Sequence, residues 1–177
     1  KLDISLNPDF GQVESDDVII NFSANETFYP DKRPFFTENQ SLFDITGWDL
    51  RFINTRRIGG APDKCSESNE AHLGECDSSI SDTSDINYAL RYTKEGQINK
   101  YGFFMANEDD SLFSEGRDYF AFRYKANLSK NSGKVGYLTT SVNRPSIDRK
   151  AMANVIDFDF KSSFASRFYG WAGVIDI

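Results

Sequence analysis

Few side chains in this chain of 177 residues have the chemistry of a catalytic centre. His72 is the only histidine, so a Ser/His/Asp or Cys/His nucleophile system could form only around it. It lies in the long connection 59–85, which favours a solvated loop side chain instead. Carboxylates are plentiful, but glycoside hydrolysis needs two of them about 5–10 Å apart in a sugar-sized cleft. We predict no catalytic residues; the enzymatic alternative is a glycoside hydrolase with Asp157 or Asp159 as its acid or nucleophile.

The acidic stretches 77–85 and 108–110 could offer oxygen ligands to calcium. They lack the D-x-[DN]-x-[DN]-G spacing of a calcium-binding loop, and ordinary surface acidity explains them more simply. We therefore predict no metal site and no cofactor.

Cys65 and Cys76 are the only cysteines, and ten mostly polar residues separate them. An even number of cysteines in a polar connection predicts a disulfide formed in an oxidising compartment. A metal site is the alternative, but only His72 lies nearby as another soft ligand, and the C-x-x-C spacing of zinc sites is absent.

Composition limits the partners of the chain. The formal net charge of −7 argues against nucleic acid, because phosphate binding needs a basic face. Sixteen Phe and eight Tyr, with many turn-forming residues between them, favour strands over helices. The longest uncharged apolar stretch, 168–175, is too short for a spanning helix, which needs about 20 residues. We predict an all-β fold.

Segments with period-2 alternation follow one another along the chain and predict strands. They are residues 2–6, 48–53, 86–93, 98–106, 119–126, 134–142, 155–160 and 164–175. Their connections alternate between short and long, as in transmembrane barrels with short turns at one end and longer loops at the other. The sequence thus predicts part of an antiparallel transmembrane-type β-barrel; a soluble antiparallel sandwich is the alternative.

In the barrel interpretation, the two faces of the strands have different surroundings. We expect six charged side chains to face the lumen: Arg51, Arg91, Arg123, Lys125, Asp157 and Asp159. We expect six apolar side chains to face lipid: Phe120, Phe122, Tyr124, Ile156, Phe158 and Phe160. A register slip of one residue would exchange the two sets. On this basis Phe122→Arg should abolish membrane folding, and Arg123→Gln should be tolerated.

Residues 7–45 differ from the rest, because they contain three prolines and many turn residues. We interpret them as an irregular, plug-like segment packed in or under the sheet. Residues 46–177 supply the antiparallel strands, and the whole of 1–177 is part of one barrel domain.

Three stretches carry a family resemblance: NPDFGQVE at 7–14, ETFYPDKRPFFTE at 26–38 and RRIG at 56–59. They resemble the opening of the C-terminal β-barrel domain of bacterial outer-membrane proteins classed as domain of unknown function 5916. In that family a module similar to family 9 carbohydrate-binding modules usually precedes the barrel. No residues here correspond to that module, so we expect a part of a longer protein and assign no sugar-binding residues from the resemblance.

The motif residues of these stretches are candidates for structure rather than catalysis, since the family has no established catalytic residues. They are Glu14, Glu26, Arg33, Pro34, Phe35, Phe36, Glu38, Arg56 and Arg57. Arg33 could form an ion pair with Glu38 that fixes the irregular segment. Alternatively, Arg56 and Arg57 could pair with Glu14 and Glu26.

The resemblance and the strand pattern together imply a non-enzymatic outer-membrane β-barrel of a Gram-negative bacterium. Its task would be passage, docking or surface display linked to glycan or nutrient uptake. The expected partner is outer-membrane lipid; other outer-membrane or surface proteins and glycans are further candidates. The alternative is a soluble extracellular β-sandwich that binds carbohydrate through Trp48, Tyr119, Tyr169 and Trp171.

Overall fold

The alternating segments form one antiparallel sheet in the structure, a computed structural model that describes seven ranges of the chain. These ranges are residues 1–8, 31–45, 52–63, 83–111, 114–128, 133–162 and 166–177. The strands are β1 (Leu2–Leu6), β2 (Ile86–Glu95), β3 (Asn99–Glu108), β4 (Asp118–Leu128), β5 (Gly133–Arg144), β6 (Arg149–Lys161) and β7 (Arg167–Asp176).

Each strand pairs with its neighbours in sequence, so the strand order is β1 to β7 without a crossover. The all-β, antiparallel expectation is therefore confirmed. The sheet is open in the described residues, because β1 pairs only with β2 and β7 only with β6. Helical structure is limited to a short helix α1 (Pro34–Thr37) and 3₁₀ turns at Gln40–Leu42, Thr55–Arg57 and Pro145–Ile147.

Residues 31–45 and 52–63, which we call the anchored segment, cover one face of the sheet. We call the covered side the inner face and the opposite side the outer face. Phe36 and Ile58 of the anchored segment pack with Ile86, Phe104 and small residues of β2 to β4. A second apolar cluster joins Ile45 to Leu138 and Val155 on β5 and β6.

Small side chains on the strands make room for this packing. Ala89, Ala106 and Ala121 are buried on the inner face, opposite the large side chains of the anchored segment. The Phe36 ring meets the Phe104 ring at a centroid distance of 5.7 Å in an edge-on arrangement. Close packing of large residues onto small ones fixes how the irregular segment lies on the sheet.

The strand expected at 48–53 is not present in its described part. Phe52 and Ile53 lie outside any strand, and residues 46–51 are outside the described ranges. Both side chains pack on the second apolar cluster instead, and β2 already has strand partners on both edges. The irregular region thus continues beyond residue 45. None of the helices in the described ranges has the length and apolarity to cross a bilayer.

We predict that Phe36→Ala lowers the free energy of unfolding by about 3–5 kcal/mol, because it leaves a cavity between the anchored segment and the sheet. Phe36 is 4% exposed. Urea unfolding of the chain measures this change. The control Ile98→Ala, in the exposed turn between β2 and β3, should change the free energy of unfolding by about 0.5 kcal/mol or less. Equal effects of the two variants would contradict the packing described above.

Candidate functional site

The inner face carries buried charged side chains where most sheets that bury a face carry apolar ones. Arg91, Arg123, Asp157 and Asp159 are all buried there, and Arg123 is 0% exposed. Buried charges are costly unless each has a partner of opposite charge and further hydrogen bonds. The geometry of these partners therefore shows how the inner face holds the anchored segment.

Arg91 on β2 connects three parts of the chain. Its Nη2 donates to Asp3 Oδ2 on β1 and to Glu38 Oε2 of the anchored segment, both at 2.9 Å. Its Nη1 donates to the backbone carbonyls of Phe35 and Glu38. One guanidinium thus binds two carboxylates and two carbonyls, one within α1 and one directly after it.

Arg123 on β4 likewise connects the anchored segment to a second strand of the sheet. Its Nη1 donates to Asp157 Oδ1 on β6 at 2.5 Å, and its Nε donates to the Leu42 carbonyl at 3.3 Å. To reach β6 the side chain crosses Gly136 on β5. A Cβ atom at residue 136 would lie 2.4 Å from Asp157 Oδ1 and 2.7 Å from Arg123 Nη2, so the ion pair requires glycine there.

Arg117, which immediately precedes β4, anchors the second half of the segment. Its Nη2 donates to Glu108 Oε1 at 3.0 Å and to the Gly60 carbonyl at 3.1 Å. The Gly59 amide donates to the same Glu108 oxygen at 2.8 Å. Burial lowers the pKa of Arg117, but the hydrogen bond with Glu108 and the nearby charges outweigh it and raise the pKa above its usual value.

Arg33 holds the two halves of the anchored segment together. Its Nη1 donates to the Ile58 carbonyl and its Nη2 to the Thr55 carbonyl, each at 2.7 Å. It also forms a two-pronged ion pair with Asp31, at 3.0 and 2.7 Å. Burial raises the pKa of Asp31, but the hydrogen bonds from Arg33 outweigh it and bring the pKa below its usual value.

These contacts share one chemistry: arginine side chains donate to the carbonyls of a segment that has little secondary structure of its own. Such carbonyls would otherwise be buried without hydrogen bonds, which is rare in native proteins. Lys125 adds to the set by donating to the Ser41 carbonyl at 3.1 Å. Among the described residues no group of three or more His, Cys, Asp or Glu side chains could hold a metal ion.

The structure places the charged and apolar sets of the strands on opposite sides. Arg91, Arg123, Lys125, Asp157 and Asp159 lie on the inner face, in register with the residues beneath the anchored segment. The outer face carries the apolar set: Phe120, Phe122, Tyr124, Ile156, Phe158 and Phe160. Ile156 is 59% exposed and Phe120 38% exposed.

One pairing differs from the sequence-based hypothesis. Arg33 pairs with Asp31 rather than with Glu38, whose carboxylate binds Arg91 and Lys1 instead. The reason is geometric, because Arg33 extends toward the carbonyls of Thr55 and Ile58. Pro34 begins α1, Phe35 and Phe36 pack against Phe104, and Arg56 and Arg57 lie in the 3₁₀ turn.

Several predicted residues lie outside the described ranges, so the structure gives no geometry for them. These are Glu14, Glu26, Trp48, Arg51, Cys65, His72 and Cys76. The predicted disulfide between the two cysteines stays a prediction.

Three charged residues near the connection between β3 and β4 were not predicted from the sequence: Asp63, Glu108 and Arg117. Asp63 is buried and accepts from Arg144 Nε at 3.1 Å. A signal for Arg117 was present, because it continues the alternate positions 119, 121 and 123 of β4. Asp63 and Glu108 follow no pattern that would separate them from surface acids.

The burial of Arg123 reverses the expectation that Arg123→Gln is tolerated. We now predict that Arg123→Gln and Asp157→Asn each lower the free energy of unfolding by about 3–5 kcal/mol, because each leaves one buried charge without its partner. The double variant should cost less than the sum of the two, since no charge is then left alone. Urea unfolding of the four proteins measures the cycle. Additive costs would show that the two side chains act independently.

As a control for that cycle, Lys100→Gln removes an exposed ion pair with Glu95 on the same face. It should change the free energy of unfolding little, because exposed pairs contribute about 0–1 kcal/mol.

The lowered pKa of Asp31 predicts how the anchored segment responds to acid. The stabilising contribution of the carboxylate is complete above the usual carboxyl pKa of about 3.9 and is lost only as the pH falls through the lowered value. The difference in unfolding free energy between the parent chain and Asp31→Asn should therefore stay constant from pH 7 to pH 5 and shrink below about pH 4. The control Asp148→Asn, at an exposed turn, should change stability little. A difference that grows on acidification would contradict the ion pair.

Comparison with known proteins identifies the family of the chain. A family model described as "Domain of unknown function (DUF5916)" matches residues 1–88, which include β1, the anchored segment and the first residues of β2. A search of curated proteins and a search of solved structures each gave no match. By its opening half, which carries β1 and the arginine-bound segment, the chain belongs to the DUF5916 family.

Proposed function

We propose that the chain is part of a non-enzymatic outer-membrane β-barrel, in which the outer face contacts lipid and the anchored segment lies in the lumen. The observation that carries the proposal is the apolar outer face of the sheet. Charged side chains are buried on the inner face beside two apolar clusters, and large apolar side chains are exposed on the outer face. A water-soluble sheet with one covered face carries polar side chains on its other face.

The exposed and half-buried apolar side chains of the outer face form a continuous band rather than scattered positions. Tyr101, Tyr124 and Tyr137 lie side by side on β3, β4 and β5, because each pairs directly with the next. Contiguous exposed apolar surface of this kind marks contact with another apolar phase. Aromatic rings beside apolar residues are typical of the lipid-facing side of membrane barrels.

Polar residues end the band toward the longer connections. On the outer face, Asn107 Nδ2 donates to Asp118 Oδ1 at 2.8 Å, and Asn143 Nδ2 donates to Asp118 Oδ2 at 3.4 Å. These three residues occupy neighbouring positions on β3, β4 and β5. A polar margin next to an apolar band is the arrangement expected where a sheet leaves hydrocarbon and enters the headgroup region.

The band also runs obliquely across the strands. On each strand we take the middle residue of the unbroken apolar run on the outer face. This residue is Leu90 on β2, between Tyr88 and Tyr92, and Phe158 on β6, between Ile156 and Phe160. Cross-strand pairing connects Leu90 through β3, β4 and β5 to Met152 on β6, which is six residues from Phe158, with the polar Asn154 between them. The apolar centre therefore moves six residues along the strand direction over four strand steps.

The slope of the band gives the tilt of the strands from the membrane normal that a level band would require. Six residues of strand span about 20 Å and four strand spacings span about 19 Å. A band that is level with a membrane would thus require strands tilted by roughly 45° from the membrane normal. Strands of transmembrane barrels are tilted by about 35–45°. A soluble sheet has no reason to place its exposed apolar residues along such a line.

Two of the connections support the same orientation. The strand pairs β2–β3, β4–β5 and β6–β7 are joined at one end by short connections, at 96–98, 129–132 and 162–166. The connection between β1 and β2 and the one at 109–117 lie at the opposite end and are longer, whereas the connection between β5 and β6 at that end, 145–148, is short and departs from the expected alternation. In this proposal the longer connections face the cell exterior of a Gram-negative outer membrane.

The proposed role is passage, docking or surface display linked to glycan or nutrient uptake. The partner is outer-membrane lipid, with other surface proteins and glycans as further candidates. The soluble-sandwich alternative is favoured by two exposed rings, those of Tyr169 and Trp171 on β7. It needs a second sheet against the outer face, however, and all seven described strands belong to one sheet.

Detergent dependence tests the proposal. The chain, or the longer protein that contains it, should fold and stay dispersed in detergent micelles or lipid vesicles and should aggregate in plain buffer. Size-exclusion chromatography with circular dichroism measures both. A folded monomer in buffer without detergent or partner would overturn the membrane proposal.

A pair of variants sharpens this test. Phe122→Arg should prevent insertion into vesicles, because arginine on the lipid face at the bilayer midplane costs about 2–4 kcal/mol. Asn107→Arg, on the same face but in the polar margin, should insert like the parent chain, since that cost falls to about 0–1 kcal/mol near the interface. Protease protection in vesicles measures insertion. If both variants insert equally well, the outer face does not meet hydrocarbon.

A further inference from the structure

A cavity of about 340 Å³ lies between residues 52–58 of the anchored segment and the inner face of β3 to β6. We propose that this cavity binds a small organic carboxylate that has an apolar body and a hydroxyl donor. The inference goes beyond the proposed barrel, because it concerns a ligand held inside the fold and applies whether the outer face meets lipid or not.

The size and the floor of the cavity suit a small molecule. Phe52, Phe104, Ala121, Val142 and Ala151 contribute apolar surface to its lining. Ligand sites are usually concave, mostly apolar, and about 300–1,000 Å³ in volume. A few polar groups then fix the orientation of the ligand, and these are present at two places.

The first polar group is an acceptor without a donor. Asn54 lines the cavity, and its side-chain oxygen Oδ1 is buried and has no hydrogen-bond partner. An unpaired buried acceptor is costly, and it is rare in native structures. A ligand hydroxyl that enters the cavity would donate to this oxygen.

The second polar feature is a set of arginines at the rim: Arg57, Arg117, Arg144 and Arg149 line the cavity. Arg117 and Arg144 are bound to the buried carboxylates Glu108 and Asp63.

Arg149 is the rim cation best placed to receive an anion. It is exposed at the start of β6, lines the cavity and makes no ion pair among the described residues. Because a guanidinium binds carboxylates with two parallel hydrogen bonds, the carboxylate of the ligand belongs at this rim. Its apolar body would then lie over Phe104 and its hydroxyl would reach Asn54.

Isothermal titration calorimetry with 4-hydroxybenzoate tests the site on the whole chain, in detergent micelles if the chain requires them. We expect saturable binding. The uncharged analogue 4-hydroxybenzamide should bind at least about tenfold more weakly, because it cannot form a charge-assisted pair with arginine. Benzoate, which lacks the hydroxyl donor for Asn54, should also bind more weakly. No saturable binding of 4-hydroxybenzoate, or equal binding of the charged and uncharged compounds, would overturn the inference.

Variants locate the binding in this cavity. Arg149→Gln should weaken 4-hydroxybenzoate binding by about tenfold or more and leave the fold unchanged, because Arg149 is exposed. Ala151→Phe should fill the cavity and abolish binding. The matched control Lys161→Gln removes an exposed cation at the other end of the same strand and should leave binding unchanged.

The outcomes separate this inference from the membrane proposal. Binding that is unchanged in Arg149→Gln, or equally weakened in Lys161→Gln, would overturn the cavity site, and this holds even if Ala151→Phe fails to fold. A chain that is monomeric in plain buffer and still binds 4-hydroxybenzoate through Arg149 would support the site while overturning the barrel.

Discussion

The rest of the structure depends on the need to hydrogen-bond the backbone of an irregular segment that lies on a sheet. Helices and strands satisfy their own carbonyls, whereas the anchored segment has only a few short turns. Arginines from the sheet and the segment supply the missing donors, to the carbonyls of Phe35, Leu42 and Gly60 among others. Each arginine in turn needs a buried carboxylate, which explains why acidic residues are buried beside them.

The outer face of the sheet is apolar although it lies opposite a face that already buries two apolar clusters. A strand has two sides, and this sheet carries large apolar side chains on both of them. Phe158 and Phe160 are stacked on the outer face at 5.7 Å between ring centroids, with the ring of Phe168 at 5.5 Å from that of Phe158. In water this face would lose the stabilisation of burial, at about 25 cal/mol per Å² of apolar surface. The same face against lipid carries no such cost, and this difference supports the proposed membrane setting.

The strands and their faces could be predicted from the sequence because both follow from a period of two, which is local. The boundaries of β2, β4 and β5 differ from the expected segments by only a few residues. The ion pairs could not be predicted in the same way. Asp3 and Arg91 are 88 positions apart in the chain, and Arg123 and Asp157 are 34 apart, so their meeting depends on register and on a glycine at 136. The strand expected at 48–53 was wrong at its described end, because Phe52 and Ile53 lie outside any strand and both side chains pack on the sheet, a contact that local alternation does not predict.

The cavity follows from the same use of small residues that seats the anchored segment. Beside the cavity, Ala89 on β2 and Ala106 on β3 lie in one buried apolar cluster with Phe36 and Ile58, and neither alanine lines the gap. Over β5 and β6, Val142 and Ala151 leave similar room next to Phe52 and Ile53, but the larger side chains there do not fill it. The gap is lined by an unpaired amide oxygen and a rim of arginines, and Arg149 in that rim donates to none of the segment carbonyls named above. A cavity of this size beside an exposed arginine is what a binding site for an anionic molecule requires.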